Sequence, residues 1–428
     1  MLRCHILSTG DEVLTGMITD TNAAFLADQA GTLGLEVTGH TTVGDDRAAL
    51  EEAFRTLGER VEVVLCTGGL GPTVDDLTTE VAAHVLGAEL KLDEAALAYM
   101  EGLWKVRGRP MPENNRKQAM IPEPAEVLPN PIGTAPGFTA KIGRAHFFFM
   151  PGVPREMKRM FAEQVVPRVY KLKPDPSVFE VRVYRSFGLT ESRADQILTG
   201  LEAEHPDVKL GFRAHFPEIQ IKLTVKGADV AAARARLEGA AAEVIKRIGP
   251  YVFSDGDPLE AVIGAALKRE GEKVATAESC TGGLLSQMIT AVPGSSAYFE
   301  QGFVTYSNEA KHELLGVPRE VFLEHGAVSE VCARAMAEGA RARTKATYAL
   351  AVTGIAGPDG GTKDKPVGLV FIALAGPEET VVRRIQWPAQ REQIRAVSVM
   401  VALDLLRRRL ARLTLDAPEH LIRQPLKT

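Results

Sequence analysis

The chain has 428 residues, which predicts two to four domains rather than a single core. Fifty basic residues against 55 acidic ones give a net charge of −5, which argues against direct binding to nucleic acid or to a membrane surface. Four dispersed cysteines, with neither a signal-peptide core nor an apolar run of about 18 residues, favour a reducing, cytoplasmic location.

The first 170 residues alternate short apolar strands with helices. Strands are predicted at residues 4–8, 61–66 and 145–150, and apolar residues at helical spacing predict a helix over residues 23–30. Each strand ends in a glycine-containing turn. This pattern is typical of a mostly parallel α/β sheet, in which ligands bind beyond the carboxyl ends of the strands.

The run CTGGLGPTVDDLT, from Cys66 to Thr78, is the main motif of this region. Exposed backbone amides in such a glycine turn can hold a phosphate, and neighbouring carboxylates can hold a hard cation. The alternative is that Asp75 and Asp76 only cap the next helix. The residues expected to contact a phosphorylated ligand here are Gly68, Gly69, Gly71 and Thr73.

Residues 171–256 differ in character and predict a small α+β module. A proline-containing linker at residues 173–176 precedes strands at 180–184 and 219–225 and helices at 191–201 and 228–248. The outline is KH-like, but the Gly-x-x-Gly loop that clamps nucleotides is missing. We therefore favour a spacer between two enzymes.

A third unit, residues 257–415, is predicted as another α/β domain, followed by a loose tail over residues 416–428. A helix at 259–269 leads to a strand ending near Ser279, and a helix over 391–413 closes the unit. Further strands are predicted at residues 303–306, 348–352 and 368–374.

The run TAESCTGG, residues 276–283, places Ser279 between a strand and a helix predicted to start near Thr281. Free amides at a helix start can stabilise an anion or a developing oxyanion. Gly282 and Gly283 allow close approach of a ligand. Alternatively, Ser279 is simply a helix cap.

A second cluster, TYSNEAK, brings Tyr306 and Lys311 into a strand end and the following helix turn. A serine needs a neighbour to take its proton, and a desolvated lysine can serve as that base. Ser279, Tyr306 and Lys311 are therefore a candidate nucleophile, relay and base, although the lysine alone also fits a solvated helix residue. The glycine-rich run at residues 353–361 suits a loop around a phosphate or a sugar, or a plain surface turn.

Five runs occur in order in the last third of the chain: AESCTGG, GSSAYFEQGFVTYSNEAK, HGAVSE, TGIAGPDGG and KPVG. Together they resemble the C-terminal domain of the CinA (competence/damage-inducible) family. The resemblance implies a cofactor-independent amidase that converts nicotinamide mononucleotide to nicotinate mononucleotide and ammonia, with Ser279, Tyr306 and Lys311 as catalytic residues. The expected substrate contacts are Thr281, Gly282, Gly283, Asn308, Gly354, Gly357, Gly360 and Arg391.

One departure from the family lies at residues 387–391. The family usually has a Gly-x-Arg or Gly-Asp-Arg sequence there, whereas this chain reads WPAQR and keeps Arg391 and Arg395 without the glycine.

The first 170 residues resemble the N-terminal CinA domain and, more weakly, molybdopterin-binding domains. The runs GDEVLTG, CTGGLGPTVDDLT, NRKQA, GTAPG and PGVPRE carry this resemblance. It implies a three-layer α/β/α domain with a metal-dependent ADP-ribose pyrophosphatase activity that uses Mg, Mn or Co. We expect Asp45 and Asp76 to contact the metal, and Arg116 and Lys117 to contact phosphate.

The leading hypothesis is a homodimeric, bifunctional enzyme that recycles pyridine nucleotides, with ADP-ribose and nicotinamide mononucleotide as its ligands. One alternative is a molybdopterin-binding module fused to an amidase. Another is an interaction protein in competence or DNA repair.

Overall fold

The computed structural model describes residues 1–174, 178–416 and 418–421. They form two compact units. The first comprises Met1–Glu180 with Lys226–Ala233, and the second comprises Val181–Val225 with the chain from Arg234 onward. No helix in the described part of the chain combines the length and apolarity needed to cross a bilayer.

The first unit is built around a six-stranded sheet. The unit as a whole has the strands β1 Arg3–Thr9, β2 Glu36–Val43, β3 Val63–Thr67, β4 Leu90–Leu92, β5 Met120–Pro122, β6 Glu126–Leu128, β7 Gly137–Ile142 and β8 Ala145–Met150. Its helices are α1 Asp11–Leu14, α2 Thr21–Thr32, α3 Arg47–Arg60, α4 Thr78–Leu86, α5 Glu94–Val106, α6 Pro154–Met160 and α7 Val166–Leu172, with a 3-10 helix at Glu113–Ala119. The strands β4 and β5 pair separately.

The strand order is β2-β1-β3-β8-β7-β6, parallel over the first four strands and antiparallel at β7 and β6. The chain runs outward from β1 to β2 and then crosses to β3 on the other side of β1. This reversal opens a crevice at the carboxyl ends of β1 and β3, where open α/β sheets bind ligands. The predicted location of the ligand site is therefore built into the topology.

Helices cover both faces of this sheet and confirm the three-layer α/β/α prediction. Leu50 and Phe54 of α3 pack with Val81 of α4 on one face. Leu26 of α2 and Met157 of α6 lie in the cluster on the other face. The central strand β3 is buried along its whole length, as expected of a strand covered on both sides.

The remainder of the chain adds two further sheets. Its strands are β9 Val178–Ser186, β10 Val208–His215, β11 Glu218–Gly227, β12 Val252–Ser254, β13 Val274–Glu278, β14 Phe299–Val304, β15 Tyr348–Gly354, β16 Leu369–Ala375 and β17 Thr380–Gln386. Its helices are α8 Glu191–Leu198, α9 Leu201–Glu204, α10 Val230–Ile248, α11 Leu259–Glu270, α12 Leu284–Thr290, α13 Asn308–Leu315, α14 Arg319–Glu324, α15 Glu330–Thr344 and α16 Arg391–Leu410.

The middle module has a four-stranded sheet in the order β10-β11-β9-β12 and is the KH-like α+β element that was predicted. The predicted helix over 191–201 is broken after Leu198, because Gly200 adopts a left-handed φ of 88° before α9 begins. At the tip of the β10–β11 hairpin, Phe216 stacks on Trp387 with ring centroids 5.7 Å apart.

The C-terminal sheet has the order β14-β13-β15-β16-β17, with β14, β13 and β15 parallel and the other two antiparallel. The long helix α16 is buried over most of its length and packs on α11. It ends at Leu410 rather than at the predicted residue 413.

The predicted loose tail begins with an ordered stretch. Glu419–Leu421 form a 3-10 turn, and Leu421 is buried in the main core cluster of the C-terminal domain. Leu421 therefore packs against the core of the C-terminal domain. Residue 417 and residues 422–428 of the predicted tail lie outside the described residues.

Candidate functional site

Ser279 follows directly after β13, in the middle of the C-terminal sheet. Its N–H donates to the carbonyl of Val352 in β15 at 2.9 Å, which fixes the serine backbone where the two central strands end. The side chain is 9% exposed. Ser279 is not the cap of α12, because that helix begins at Leu284 with Gly283 as its N-cap residue.

Lys311 lies against this serine. Its Nζ is 3.0 Å from Ser279 Oγ, and the lysine is only 1% exposed. The Nζ also donates to the carbonyls of Thr305 at 2.8 Å and of Tyr306 at 3.2 Å. Burial lowers the pKa of Lys311, because no carboxylate compensates for the lost hydration of the ammonium. The residue is therefore a buried base candidate and not a solvated helix residue.

Tyr306 occupies a different position from the one expected of a relay. The strand predicted at residues 303–306 runs instead from Phe299 to Val304, so Tyr306 lies beyond it and is 62% exposed. Its phenol oxygen is 3.1 Å from Arg391 Nη2, whereas Lys311 contacts its backbone carbonyl. The phenol thus faces the rim of the site together with a guanidinium.

The start of α12 is occupied by a carboxylate, which corrects the expectation that its amides are free for an anion. The carboxylate of Glu278 is fully buried and accepts hydrogen bonds from the N–H groups of Gly283, Leu285 and Ser286, at 2.8 to 3.0 Å. The Ser286 hydroxyl donates to it as well, at 2.7 Å. The Glu278 carboxylate, directly before the serine, accepts hydrogen bonds from the free N–H groups at the start of α12. Those N–H groups are therefore not available to a second anion.

Two other amides remain for an oxyanion. The N–H groups of Cys280 and Thr281, which follow the serine, donate to no oxygen within the described ranges. Thr281 is buried, and its hydroxyl is also without a hydrogen-bond partner among those residues. A substrate oxygen beside Ser279 would supply the missing acceptor.

Arginines of α16 close the site from one side. Arg391 Nη1 donates to the carbonyl of Gly357 at 2.7 Å, and Arg395 Nη2 donates to the carbonyl of Thr281 at 2.7 Å. Gly357 has a φ of 76°, which suits a glycine in this turn. Arg391, at the end of the WPAQR segment, thus holds the glycine-rich loop, and Arg395 of the same helix holds the serine turn.

The structure brings most of the predicted C-terminal residues together. Ser279, Thr281 and Lys311 meet at the centre, with Tyr306 and Arg391 at the rim, and Gly282 and Gly283 form the turn. Gly354 ends β15, while Asn308 and Gly360 are exposed in the segments beside the site. Glu278 was missed, although its place in the same run, just before a glycine-rich helix start, is a signal for a capping acid.

The first unit holds a cavity of about 540 Å³ at the carboxyl ends of β1, β3 and β8. Gly68, Gly69 and Gly71 line it as predicted. Gly68 and Gly69 have φ values of 109° and 65°, and a Cβ on either would collide with Thr9 or Thr78. The Gly68 N–H donates to the Met150 carbonyl at 3.0 Å, whereas the N–H groups of Gly69 and Gly71 donate to no oxygen within the described residues, so those two can meet a phosphate.

The predicted metal contacts Asp45 and Asp76 both line this cavity, with Asp75 and Glu12 nearby. Burial, followed by the charges of neighbouring carboxylates, raises the pKa of Asp45. Asp76 Oδ2 accepts from the Thr73 N–H at 2.8 Å and from its hydroxyl at 2.6 Å, so Thr73 orients this carboxylate. Thr73 does not itself line the cavity, contrary to its predicted contact with the ligand.

Among the described residues, no three or more His, Cys, Asp or Glu side chains are arranged to hold a metal. The carboxylates at the cavity therefore fit a cation only as a partial set of ligands. Phosphate oxygens of a bound ligand would have to complete it.

Arg116 and Lys117 do not line the glycine cavity, which corrects their predicted phosphate contact. Lys117 Nζ donates to the carbonyls of Thr73 and Asp76 and pairs with Glu80. It therefore stabilises the loop between Thr73 and Asp76. Arg116 lines a separate depression. The 3-10 helix at Glu113–Ala119 turns Gln118 inward instead, and its amide donates to the Leu70 carbonyl at 3.3 Å.

Asn22 is a further cavity residue that the sequence did not single out. It is 8% exposed, and its amide nitrogen donates to the Thr67 hydroxyl at 3.1 Å and to the Gly152 carbonyl at 2.7 Å. Its amide oxygen has no partner within the described residues. Asn22 thus joins the ends of β3 and β8 at the cavity.

Three family models match the chain in succession. They are described as "Probable molybdopterin binding domain" over residues 5–171, "Damage-inducible protein CinA KH domain" over residues 181–254 and "CinA C-terminal domain" over residues 256–410. The succession agrees with the fold, in which a KH-like module separates two α/β domains.

Relatives match nearly the whole chain. A CinA-like protein of Anaeromyxobacter sp. (strain Fw109-5) is 46% identical over 410 residues, which cover 95% of this chain and 98% of the relative. A CinA-like protein of Geotalea uraniireducens (strain Rf4) is 43% identical, with 96% and 98% covered. The crystal structure of the competence/damage inducible protein CihA from Agrobacterium tumefaciens is 44% identical, covers 35% of this chain and 91% of its own, and gives a TM-score of 0.34. Given the identity and coverage of the full-length relatives, this chain belongs to the CinA-like protein family.

Proposed function

We propose that the C-terminal domain is a serine amidohydrolase that converts nicotinamide mononucleotide to nicotinate mononucleotide and ammonia. The observation that carries this proposal is the 3.0 Å contact between Ser279 Oγ and the buried Lys311 Nζ. A serine hydroxyl is a weak nucleophile unless a neighbouring base takes its proton. A lysine with a lowered pKa beside the hydroxyl can be that base. The choice of substrate rests on the family resemblance.

The mechanism uses only groups of this chain. Neutral Lys311 takes the hydroxyl proton while Ser279 Oγ attacks the carboxamide carbon. The N–H groups of Cys280 and Thr281 stabilise the oxyanion, an effect worth about 3–4 kcal/mol per good donor. The C–N bond breaks as the Lys311 ammonium returns the proton to the leaving nitrogen, which departs as ammonia.

The resulting ester on Ser279 is then hydrolysed. Lys311, again neutral, removes a proton from the attacking water, and the serine oxygen leaves with that proton. Arg391 and Tyr306, joined at the rim, face the entry to the site and bind the polar remainder of the substrate. The Lys311 carbonyl partners hold the amine in place through both steps.

Replacing Ser279 by Ala tests the nucleophile directly. Ammonia release from nicotinamide mononucleotide by the full chain should fall by at least a thousandfold, with an unchanged circular dichroism spectrum. The matched control is Cys280→Ala, because burial raises the pKa of the adjacent Cys280 thiol to about 12 and so keeps it protonated. This control should retain activity. Activity that survives Ser279→Ala and disappears in Cys280→Ala would contradict the proposal.

For the N-terminal domain we propose an ADP-ribose pyrophosphatase. The supporting observation is the cavity that the backbone at Gly68–Gly71 lines together with the carboxylates of Asp45 and Asp76. These two carboxylates, together with phosphate oxygens, would hold Mg, Mn or Co, which would neutralise charge on the pyrophosphate. The competing candidate, favoured by the family model over residues 5–171, is a module that binds molybdopterin without turnover.

Incubating the full chain with ADP-ribose and each of the three metals separates these candidates. Release of AMP that depends on the metal and is lost in Asp45→Asn supports the pyrophosphatase. Tight pterin binding without turnover supports the module.

We also propose a cytoplasmic homodimer that does not bind nucleic acid directly. All four cysteines are buried free thiols, in keeping with a reducing compartment. Sedimentation at equilibrium tests the dimer.

A further inference from the structure

We propose that a second, apolar cavity beside the glycine cavity binds the planar heterocyclic ring of the ligand whose phosphates lie on Gly68–Gly71. The inference rests on the proposed phosphate-binding function of the N-terminal domain. It adds a ring subsite and a basis for selecting the ligand, whether or not the domain also hydrolyses it.

The cavity has a volume of about 410 Å³ and lies between α5 and the segment that follows β6. Its walls are almost entirely carbon. The apolar lining residues are Ala95, Ala96, Tyr99, Met100, Val127, Pro129, Pro131 and Pro136. Neither lysine nor arginine lines it, so this cavity suits an uncharged group rather than a phosphate.

The two cavities share a wall. Thr134 lines both of them. Asn130 lines the apolar cavity and donates to Glu156 Oε2 at 2.7 Å, and Glu156 lines the glycine cavity. Asn130 also donates to the Ala135 carbonyl at 2.9 Å and accepts from the Gly133 N–H at 3.0 Å. The loop at residues 130–136 is thus a braced partition, and a ligand can contact both sides of it at Thr134.

The lining favours a flat, nitrogen-containing ring over an aliphatic chain. Tyr99 is 41% exposed, which is unusual for an aromatic residue beside a fully buried Met100, and its ring can stack on another ring. Asp93 lies at the wall. Its Oδ1 accepts a hydrogen bond from the Ala96 N–H at 2.7 Å, and its Oδ2 has no hydrogen-bond partner in the part of the chain that the structure describes. A carboxylate oxygen at an otherwise apolar wall is an acceptor for a ring N–H.

Two ligand classes share this chemistry, because a nucleobase and a pterin are both planar rings with N–H donors carried on a phosphate ester. The experiment therefore compares four probes on the full chain by isothermal titration calorimetry. AMP and a pterin phosphate carry a planar heterocyclic ring, while ribose 5-phosphate and inorganic pyrophosphate do not.

Ala95→Trp is the test variant, because Ala95 is exposed at the cavity rim and an indole there fills the cavity without entering the core. We expect the ring-bearing probe that binds the unaltered chain to lose at least tenfold in affinity, while pyrophosphate binding stays within twofold. Ala98→Trp, an exposed position on the same helix that does not line the cavity, is the matched control and should change neither. Which ring-bearing probe binds more tightly identifies the source of the ring.

Three results would overturn the proposal. The first is AMP and pterin phosphate binding no more tightly than ribose 5-phosphate. The second is unchanged affinity of every probe in Ala95→Trp. The third is an equal loss for pyrophosphate, which would place the effect in the glycine cavity. If pyrophosphate fails to bind the unaltered chain while the ring-bearing probes bind, the phosphate site fails but the ring subsite stands.

Discussion

Lys311 decides the chemistry at the scale of a single residue. A lysine with 1% exposure and no carboxylate partner loses its hydration without compensation, so burial lowers its pKa. The amine of Lys311 can take the Ser279 proton only if it is neutral at the pH of the reaction. The same burial that costs the fold stability therefore favours the neutral amine that the proposed mechanism needs.

The amidase rate should depend on pH in the direction that this shift sets. Below the lowered pKa, Lys311 is an ammonium and cannot take the serine proton, so kcat/KM should rise with pH and level off above that pKa. This rise in kcat/KM should occur at a lower pH than the one at which an ordinary lysine loses its proton. A profile of ammonia release from pH 5 to 10 measures it.

Lys311→Arg provides the control, because a guanidinium stays charged at every accessible pH. It should abolish activity throughout the profile. A rate in the unaltered chain that does not change between pH 5 and 10 would remove Lys311 as the base. Stability has the same sign: the folded state binds the proton less tightly than the unfolded one, so it gains stability as pH rises between the two pKa values.

At the scale of an element, helix α12 depends on one side chain for its start. Glu278 accepts hydrogen bonds from three amides and one hydroxyl at this helix start. Ser286 also bonds to Thr276 in the strand before the serine, at 2.7 Å. The carboxylate thus fixes the turn that carries Ser279 from both sides.

Glu278→Gln should destabilise the C-terminal domain, since an amide has only one acceptor oxygen and brings an N–H₂ group against backbone donors. The expected loss is about 1–3 kcal/mol, seen as a lower melting temperature in differential scanning calorimetry. Gln287→Ala, on the same helix but outside this network of side chains, serves as the control. A melting temperature equal to that of the unaltered chain would show that the helix start does not need the charge.

Elements also show what the sequence predicts and what it does not. Apolar, uninterrupted segments such as residues 145–150 were predicted with correct bounds, because burial on both faces leaves a plain signal. The edge strand β14 was predicted late, at residue 303, because Glu300 and Gln301, which follow its first residue Phe299, are exposed and polar. Edge strands carry little burial pattern from which to read their start.

The same reasoning applies to the sites. Ser279 and the glycines at 68–71 lie directly after strands, and Lys311 lies early in the helix that follows β14, so their motifs locate them. The sequence did not show that Arg116 and Lys117 point away from the glycine cavity, because a short 3-10 helix decides which of its side chains face inward. The three-residue periodicity of such a helix cannot be separated from neighbouring turns by sequence alone. Glu278 was missed because its role depends on tertiary hydrogen bonds.

At the scale of the molecule, most of the middle module and the C-terminal domain belong to one compact unit. Trp387, in the segment that departs from the family pattern, stacks on Phe216 of the β10–β11 hairpin. Four residues later, Arg391 reaches both Tyr306 and Gly357. The hairpin therefore supports the segment that positions the rim arginine.

Removing that support should weaken substrate binding and spare the chemical step. Phe216→Ala should raise KM for nicotinamide mononucleotide about two- to tenfold with kcat nearly unchanged, in proportion to the roughly 0.5–1.5 kcal/mol of an aromatic pair. His215→Ala, exposed on the same hairpin, is the control and should leave both constants unchanged. A fall in kcat at constant KM would instead link the hairpin to the serine.

The stacked pair also bears on how the protein can be divided. A fragment cut in the linker near residue 257 would retain the serine and the lysine but present Trp387 to water without its aromatic cover. On the proposed amidase function, such a fragment should bind its substrate more weakly. It would also expose the apolar indole of Trp387 to solvent. Grafting this domain onto another scaffold would therefore call for a replacement ring beside Trp387.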